Sequence, residues 1–165
     1  MDKTEEITVR EYEDKFRDDI IDLILEIQQK EFGISITKED QPDLSDVKNF
    51  YQTGNGNFWM ALCEGRLVGT ISLKDIGNRQ AALRKMFVRS AYRGSRHKTA
   101  QILLEHLLGW ARERGLTDIY LGTTEKFLAA HRFYEKNHFD RTAPEQLPPN
   151  FPLMKVDTRF YHLAL

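Results

Sequence analysis

A chain of 165 residues and 19.3 kDa is long enough to bury one sizeable hydrophobic core and too short for two, so residues 1–165 are expected to form one domain. The 24 Lys and Arg nearly balance the 25 Asp and Glu, leaving a formal charge of −1 without the basic excess that nucleic-acid binding draws on. No apolar run approaches the roughly 20 residues of a membrane-spanning helix, and the polar start Met1-Asp2-Lys3-Thr4-Glu5-Glu6 lacks the layout of a secretory signal, so the expected location is the cytoplasm.

Ile7 to Arg10 alternate as a short strand. Ile20, Ile21, Leu23, Ile24 and Ile27 then recur at helical spacing among acidic and amide residues, an amphipathic helix that Gly33 stops. Thr37 to Asp46, carrying Pro42, is a polar connection to a second short helix over Val47 to Tyr51. Gly54-Asn55-Gly56-Asn57 is turn chemistry; it precedes a strand instead of opening a helix, so it is no dinucleotide-binding loop. Phe58 to Cys63 is a strand apolar on both faces, which makes the single cysteine a core thiol rather than a nucleophile or a metal ligand. Glu64-Gly65-Arg66 reverses the chain, Leu67 to Leu73 forms the next strand, Asp75 to Arg79 holds another turn, and Ala81 to Val88 completes an antiparallel meander.

At Lys98 the period changes. Leu103, Leu107, Trp110 and Ala111 share one face of a helix that runs to Arg114 and closes at Gly115. Asp118 to Gly122 is a short strand, Phe127, Ala130, Phe133 and Tyr134 mark a further helix, and Arg159 to Ala164 is a β-rich tail. Meander followed by crossover gives an α/β (α+β) class, a mixed, mostly antiparallel twisted sheet flanked by helices. Pro144, Pro148, Pro149 and Pro152 argue against regular structure between Phe139 and Arg159, which is either a plain connector or a loop packed over a neighbouring site.

The chemistry gathers where the third meander strand enters the strong helix. Arg93, Arg96, His97 and Lys98 crowd a helix N-terminus, whose backbone N–H groups and dipole suit a pyrophosphate; the alternative is a solvated basic turn. The five histidines never fall at metal-ligand spacing with cysteine or carboxylates, so no metal is expected.

Val88, Tyr92-Arg93-Gly94 and the run from Leu103-Leu104 to Trp110-Ala111 resemble the acetyl-CoA-binding motif of the GNAT superfamily of N-acetyltransferases. Ala129 to Phe139, with Phe133-Tyr134-Glu135-Lys136 at its centre, resembles the family's second cofactor motif, and Leu67-Val68-Gly69-Thr70 is similar to its third strand. Gly94 is kept, while Arg96, Lys98 and Thr99 stand where members often carry Gly, His138 replaces a further glycine, and Phe127 stands where many place Asn. The resemblance implies acetyl-CoA as co-substrate, held by Met86, Phe87, Val88, Arg93, Gly94, Ser95, Arg96, His97, Lys98, Thr99, Ala100 and Phe133. Backbone groups of Met86 and Val88 would hold the pantetheine amides in a gap beside the strand Ile119 to Gly122, and a backbone N–H near Met86 or Phe87 would face the thioester carbonyl.

It further implies Tyr134 as the general acid, since a phenol is protonated at neutral pH; the alternative is a core aromatic whose hydroxyl reaches a backbone group. For the base, Glu31, Asp75 and Glu125 are candidates by position, beside an ordered water. Phe32 to Asp46, Arg84, Lys85 and the segment near Phe151 would choose the acceptor, and Glu31, Glu39 and Asp40 suit a small-molecule or peptide amine better than an acid. Family members often pair as homodimers through sheet edges or the C-terminal strand. The expected activity is transfer of an acetyl group from acetyl-CoA to a primary amine by direct attack in a ternary complex. The rival is a non-catalytic acyl-CoA-binding sensor of the same fold.

Overall fold

The computed structural model describes residues 6–94 and 96–165. β1 (Ile7–Glu11) leads into α1 (Arg17–Leu25), which buries Ile20, Ile21, Leu23 and Ile24 as their spacing predicts. The helix then widens into a π-helical stretch over Glu26–Glu31 before Gly33, at φ +63°, ends it. The polar connection contains a single 3-10 turn, Pro42–Ser45, and α2 (Val47–Phe50) follows directly.

β2 (Asn57–Cys63), β3 (Arg66–Gly77) and β4 (Gln80–Val88) form the predicted antiparallel meander. β3 continues past Leu73, so its turn to β4 is only Asn78-Arg79, both left-handed at φ +56° and +60°, the geometry that suits a two-residue hairpin. α3 (Thr99–Glu113) carries the chain across to β5 (Asp118–Thr123), and α4 (Leu128–Lys136), β6 (Asp140–Thr142) and β7 (Arg159–Ala164) complete it. The seven strands lie in the order β1-β2-β3-β4-β5-β7-β6, with β4 and β5 the one parallel pair.

β6 falls inside the proline-bearing stretch where the sequence argues against regular structure. Its three residues carry no apolar pattern, and they become a strand only by pairing with Phe160, Tyr161 and His162 of β7. The C-terminal strand is therefore interior, and the sheet's free edges are β1 and β6.

Both faces of the sheet are covered, which is why β2 reads as apolar throughout. Trp59, Ala61 and Cys63 pack with Leu103, Leu104, Leu107 and Ala111 of α3, whereas Phe58, Met60 and Leu62 pack with α1 and α2. Each such large side chain stabilises the fold by roughly 1.5–3 kcal/mol on burial. Beyond α1 and α2 the second face is closed by the proline-bearing segment, whose Phe151 packs on Ile76, Ala82 and Phe160.

His138 is exposed and sits at φ +74°, the conformation that the glycine it replaces adopts freely. Left-handed backbone costs an L-residue roughly 1–2 kcal/mol, partly offset by the entropy a glycine loses on folding. His138→Gly is expected to raise stability by about 1 kcal/mol, read as a higher urea midpoint at unchanged slope. A midpoint that stays or falls would contradict the strain.

Candidate active site

β4 and β5 are paired only at Gln80–Asp118, Ala81–Ile119 and Ala82–Tyr120, and then they part. Beyond that point β4 is held by β3 alone and β5 by β7 alone, and a cleft of about 440 Å³ opens between them. Ala100, Ala130, Phe133 and Tyr134 line it from the α3 and α4 side of the sheet, while Ile27, Gln28, Phe32 and residues of the segment from Phe151 to Asp157 line it from the α1 side. The cleft thus passes through the sheet. The proline-bearing segment is a loop packed over this opening, not a plain connector.

Of the residues singled out in the sequence, Met86, Phe87, Val88, Arg93, Gly94, Ala100, Phe133 and Tyr134 line the cleft. Arg96, His97, Lys98 and Thr99 form the turn into α3 beside it, and Ser95 lies outside the described residues. The buried Thr99 hydroxyl donates to the Tyr92 carbonyl at 2.8 Å, and the Tyr92 ring lies against His97. Lys98, at φ +55°, takes the left-handed conformation of a glycine at that turn, with its N–H donating to Gly94 at 3.0 Å. The Lys98 side chain, at the N-terminus of α3, makes no capping hydrogen bond to the helix, whose first-turn N–H groups suit an anion. Arg93 ties the loop down, donating through Nε to the Val88 carbonyl at 2.8 Å and pairing through both Nη atoms with Glu31 at the end of the π-helical stretch.

Tyr134 is buried against Phe139 and Tyr161, and burial raises its phenol above the ordinary value near 10. It therefore stays protonated at neutral pH. Its hydroxyl does not reach a backbone group; its partner is the Met86 sulfur at 3.7 Å, a weak acceptor. His131, one of the histidines without metal spacing, bonds the Thr124 carbonyl at 2.9 Å and Arg159 at 3.1 Å, and so fixes the end of β5 beside the cleft. Among the described residues no group of three or more His, Cys, Asp or Glu is placed to hold a metal ion.

The three carboxylates considered as bases lie elsewhere. Glu31 is held by Arg93, Asp75 accepts the backbone N–H groups of Asn55 and Gly77 at the hairpin ends, and Glu125 is 62% exposed. Glu39 is exposed, and Asp40 is occupied by Thr37 and Lys155. The carboxylate that does line the cleft is Asp157, which sequence periodicity had no means to single out. It accepts the Met154 N–H at 3.1 Å, and its Oδ2 rests on Gly122 of β5, where an added Cβ would lie 2.6 Å away. Burial raises its carboxyl pKa, against the pull of the Met154 N–H, Arg84 and Lys85.

Arg84 and Lys85 share the α1 side of the cleft because β4 is irregular. The register with β3 shifts between Thr70–Phe87 and Ser72–Arg84, and Lys85 is left-handed at φ +52°, a β-bulge that brings two consecutive side chains to one place. Both approach Asp43 Oδ2, at 3.9 and 3.7 Å, and Tyr51 donates to that oxygen at 2.6 Å while accepting from Arg84 Nε at 3.0 Å. Lys85 Nζ also donates to Gln41 Oε1 at 2.7 Å, and Gln41 is paired reciprocally with Gln28 of the π-helical stretch.

Burial lowers the Lys85 ammonium to about 8, with Asp43 opposing the shift. Between pH 8 and the ordinary lysine value of 10.5 the unfolded chain holds the proton that the folded chain has lost, so stability rises with pH in that window. Compared with Lys85→Gln, the wild type is expected to gain up to about 3 kcal/mol across it, read from urea unfolding of both proteins at each pH. The buried tyrosines titrate alike in the two, so a constant difference would contradict the shift.

The sequence model of the acetyltransferase (GNAT) family matches residues 21–139. An N-acetylaspartate synthetase from Xenopus tropicalis is 37% identical over 101 residues, 59% of this chain and 36% of the relative. A probable N-acetyltransferase family 8 member 5 from Mus musculus is 33% identical over 107 residues, 62% of this chain and 46% of the relative, so the chain spans less than half the length of either. Among solved structures, a GNAT-family acetyltransferase from Staphylococcus aureus Mu50 superposes with a TM-score of 0.93 at 38% identity, covering 96% of this chain and 98% of its own. An acetyltransferase from Streptococcus agalactiae 2603 superposes with a TM-score of 0.91 at 32% identity over the same shares.

Proposed function

The chain belongs to the acetyltransferase (GNAT) family, and from that premise we propose that it is an acetyl-CoA-dependent N-acetyltransferase whose acceptor is a primary amine of a small molecule or peptide. Bound acetyl-CoA supplies an acetyl carbonyl activated as a thioester. The observation that carries the reading is the parting of β4 from β5 beyond Ala82 and Tyr120, because one opening then admits the co-substrate from the α3 side and the amine from the α1 side.

On the α3 side, Arg93, Arg96, Lys98 and the first turn of α3, which the Lys98 side chain does not cap, suit a pyrophosphate. The edge of β4 that β5 has left suits the pantetheine amides, with a backbone N–H at Met86 or Phe87 facing the thioester oxygen as negative charge gathers there. The amine nitrogen bonds to the carbonyl carbon, the carbon–sulfur bond breaks, Tyr134 gives its phenolic proton to the departing sulfur, and the proton the nitrogen sheds as the amide forms restores the phenol. Cys63 lies in the core of β2 outside the cleft lining, which supports direct transfer without an acyl-cysteine. That one buried thiol suits the reducing cytoplasm.

The test is amine-dependent release of the CoA thiol across a library of primary amines. Release with mass-confirmed N-acetyl product is the expected result. Binding of acetyl-CoA with no turnover of any amine would replace this reading by the acyl-CoA sensor.

A further inference from the structure

The α1 side of the cleft carries two cations whose hydrogen-bonding capacity is incompletely used. Lys85, 6% exposed, makes one strong bond, to Gln41. Its remaining oxygen and sulfur neighbours are Asp43 at 3.7 Å, beyond ordinary hydrogen-bond length, and the Met154 thioether at 3.8 Å, a weak acceptor. Arg84 commits Nε to Tyr51 and Nη1 to the Pro152 carbonyl, but Nη2 stands 3.9 Å from Asp43. Buried ammonium and guanidinium groups seldom leave donors so placed. The β-bulge that aims both of them at one spot costs a left-handed lysine, and bulges of this kind recur where a strand re-aims side chains beside a site. On the same side, close enough to both cations that each pulls on its carboxyl, Asp157 is the one carboxylate among the described residues of the lining, and its Oδ2 is seated on Gly122 where β5 has left β4.

We propose that the acceptor is a small amino carboxylate of the amino-acid class, its carboxylate set on Lys85 and Arg84 and its amine turned to Asp157. This rests on the acetyl-transfer reading above. An incoming carboxylate accepts the N–H donors that Asp43 and Met154 leave poorly used, and it anchors the molecule while its nitrogen faces the thioester. Asp157 takes one proton from the ammonium and frees the lone pair for attack. The nitrogen gives up two protons in all, one to the sulfur by way of Tyr134 and one to solvent by way of Asp157. A polyamine or a long peptide brings no carboxylate near its amine and leaves both cations as they stand.

The experiment measures kcat/KM for the standard L-amino acids, each beside its α-carboxamide, together with spermidine and an unblocked peptide amide. With the wild type, the preferred amino acid is expected to exceed its carboxamide by at least about 30-fold, the loss that follows when a buried charge is denied its partner. Lys85→Gln should shrink that ratio mainly through KM. Asp157→Asn should lower kcat and keep the ratio. The acid–amide comparison uses wild-type protein, so a variant that fails to fold does not spoil it. Equal use of acid and carboxamide, or turnover of spermidine or peptide amide alone, would overturn this proposal and leave acetyl transfer standing. Turnover of no amine with acetyl-CoA bound would overturn both.

Discussion

Replacing Tyr134 by phenylalanine is expected to lower kcat by about a hundredfold or more while the Kd for acetyl-CoA stays within a few-fold of wild type. Among the described residues the hydroxyl's hydrogen-bond partner is a thioether at 3.7 Å, so its removal breaks no strong bond there. The ring remains packed against Phe139 and Tyr161, which preserves the cleft wall. Because burial holds the phenol protonated, the role proposed for it is donor to the departing sulfur and not the base that readies the amine for attack. Steady-state kinetics beside calorimetric titration separates the two effects. A variant with full kcat would remove Tyr134 from the chemistry, and one that melts early would make it the core aromatic that the sequence also allows.

The largest expected loss of stability comes from Asp43→Ala, about 3–5 kcal/mol, as when one member of a buried ion pair is removed. Asp43 is buried, and its carboxylate is the one that Arg84, Lys85 and Tyr51 share. Without it the two cations keep only the more distant pull of Asp157 on that wall. Lys85 loses the largest of the charges that oppose its desolvation, and its pKa falls further below the lysine range. Urea unfolding reads the loss as a lower midpoint. A change below about 1 kcal/mol, the scale of an exposed pair, would mean that solvent reaches the network and that these charges are not held for a ligand.

How much of this was legible in the sequence depends on how local its cause is. The meander follows from turn residues and alternation, and α3 from its apolar face, so both stand near their predicted bounds. The basic loop and Tyr134 were singled out through family resemblance and stand at or beside the cleft, and Lys98 and His138 take the positive φ that a glycine adopts freely. β6 was not legible, because three residues without an apolar pattern become a strand only when β7 lies beside them. The α1 side of the cleft was legible in part. Arg84, Lys85 and the segment near Phe151 were anticipated, but the acidic residues thought to face an amine lie outside the cleft. Asp157 escaped because its role depends on Gly122 and on a chain reversal after β6, contacts that no short-range spacing encodes. The bulge at Lys85 has no signature either, since a lysine does not announce a left-handed backbone.

The opening beside α3 is proposed to hold acetyl-CoA through its basic, glycine-poor turn. Calorimetric titration of the protein with acetyl-CoA, beside the Arg93→Ala, Arg96→Ala double variant, measures this. One-to-one micromolar binding by the wild type, weakened at least tenfold in the variant, is the expected result. No heat from the wild type, or equal affinity in both proteins, would contradict it.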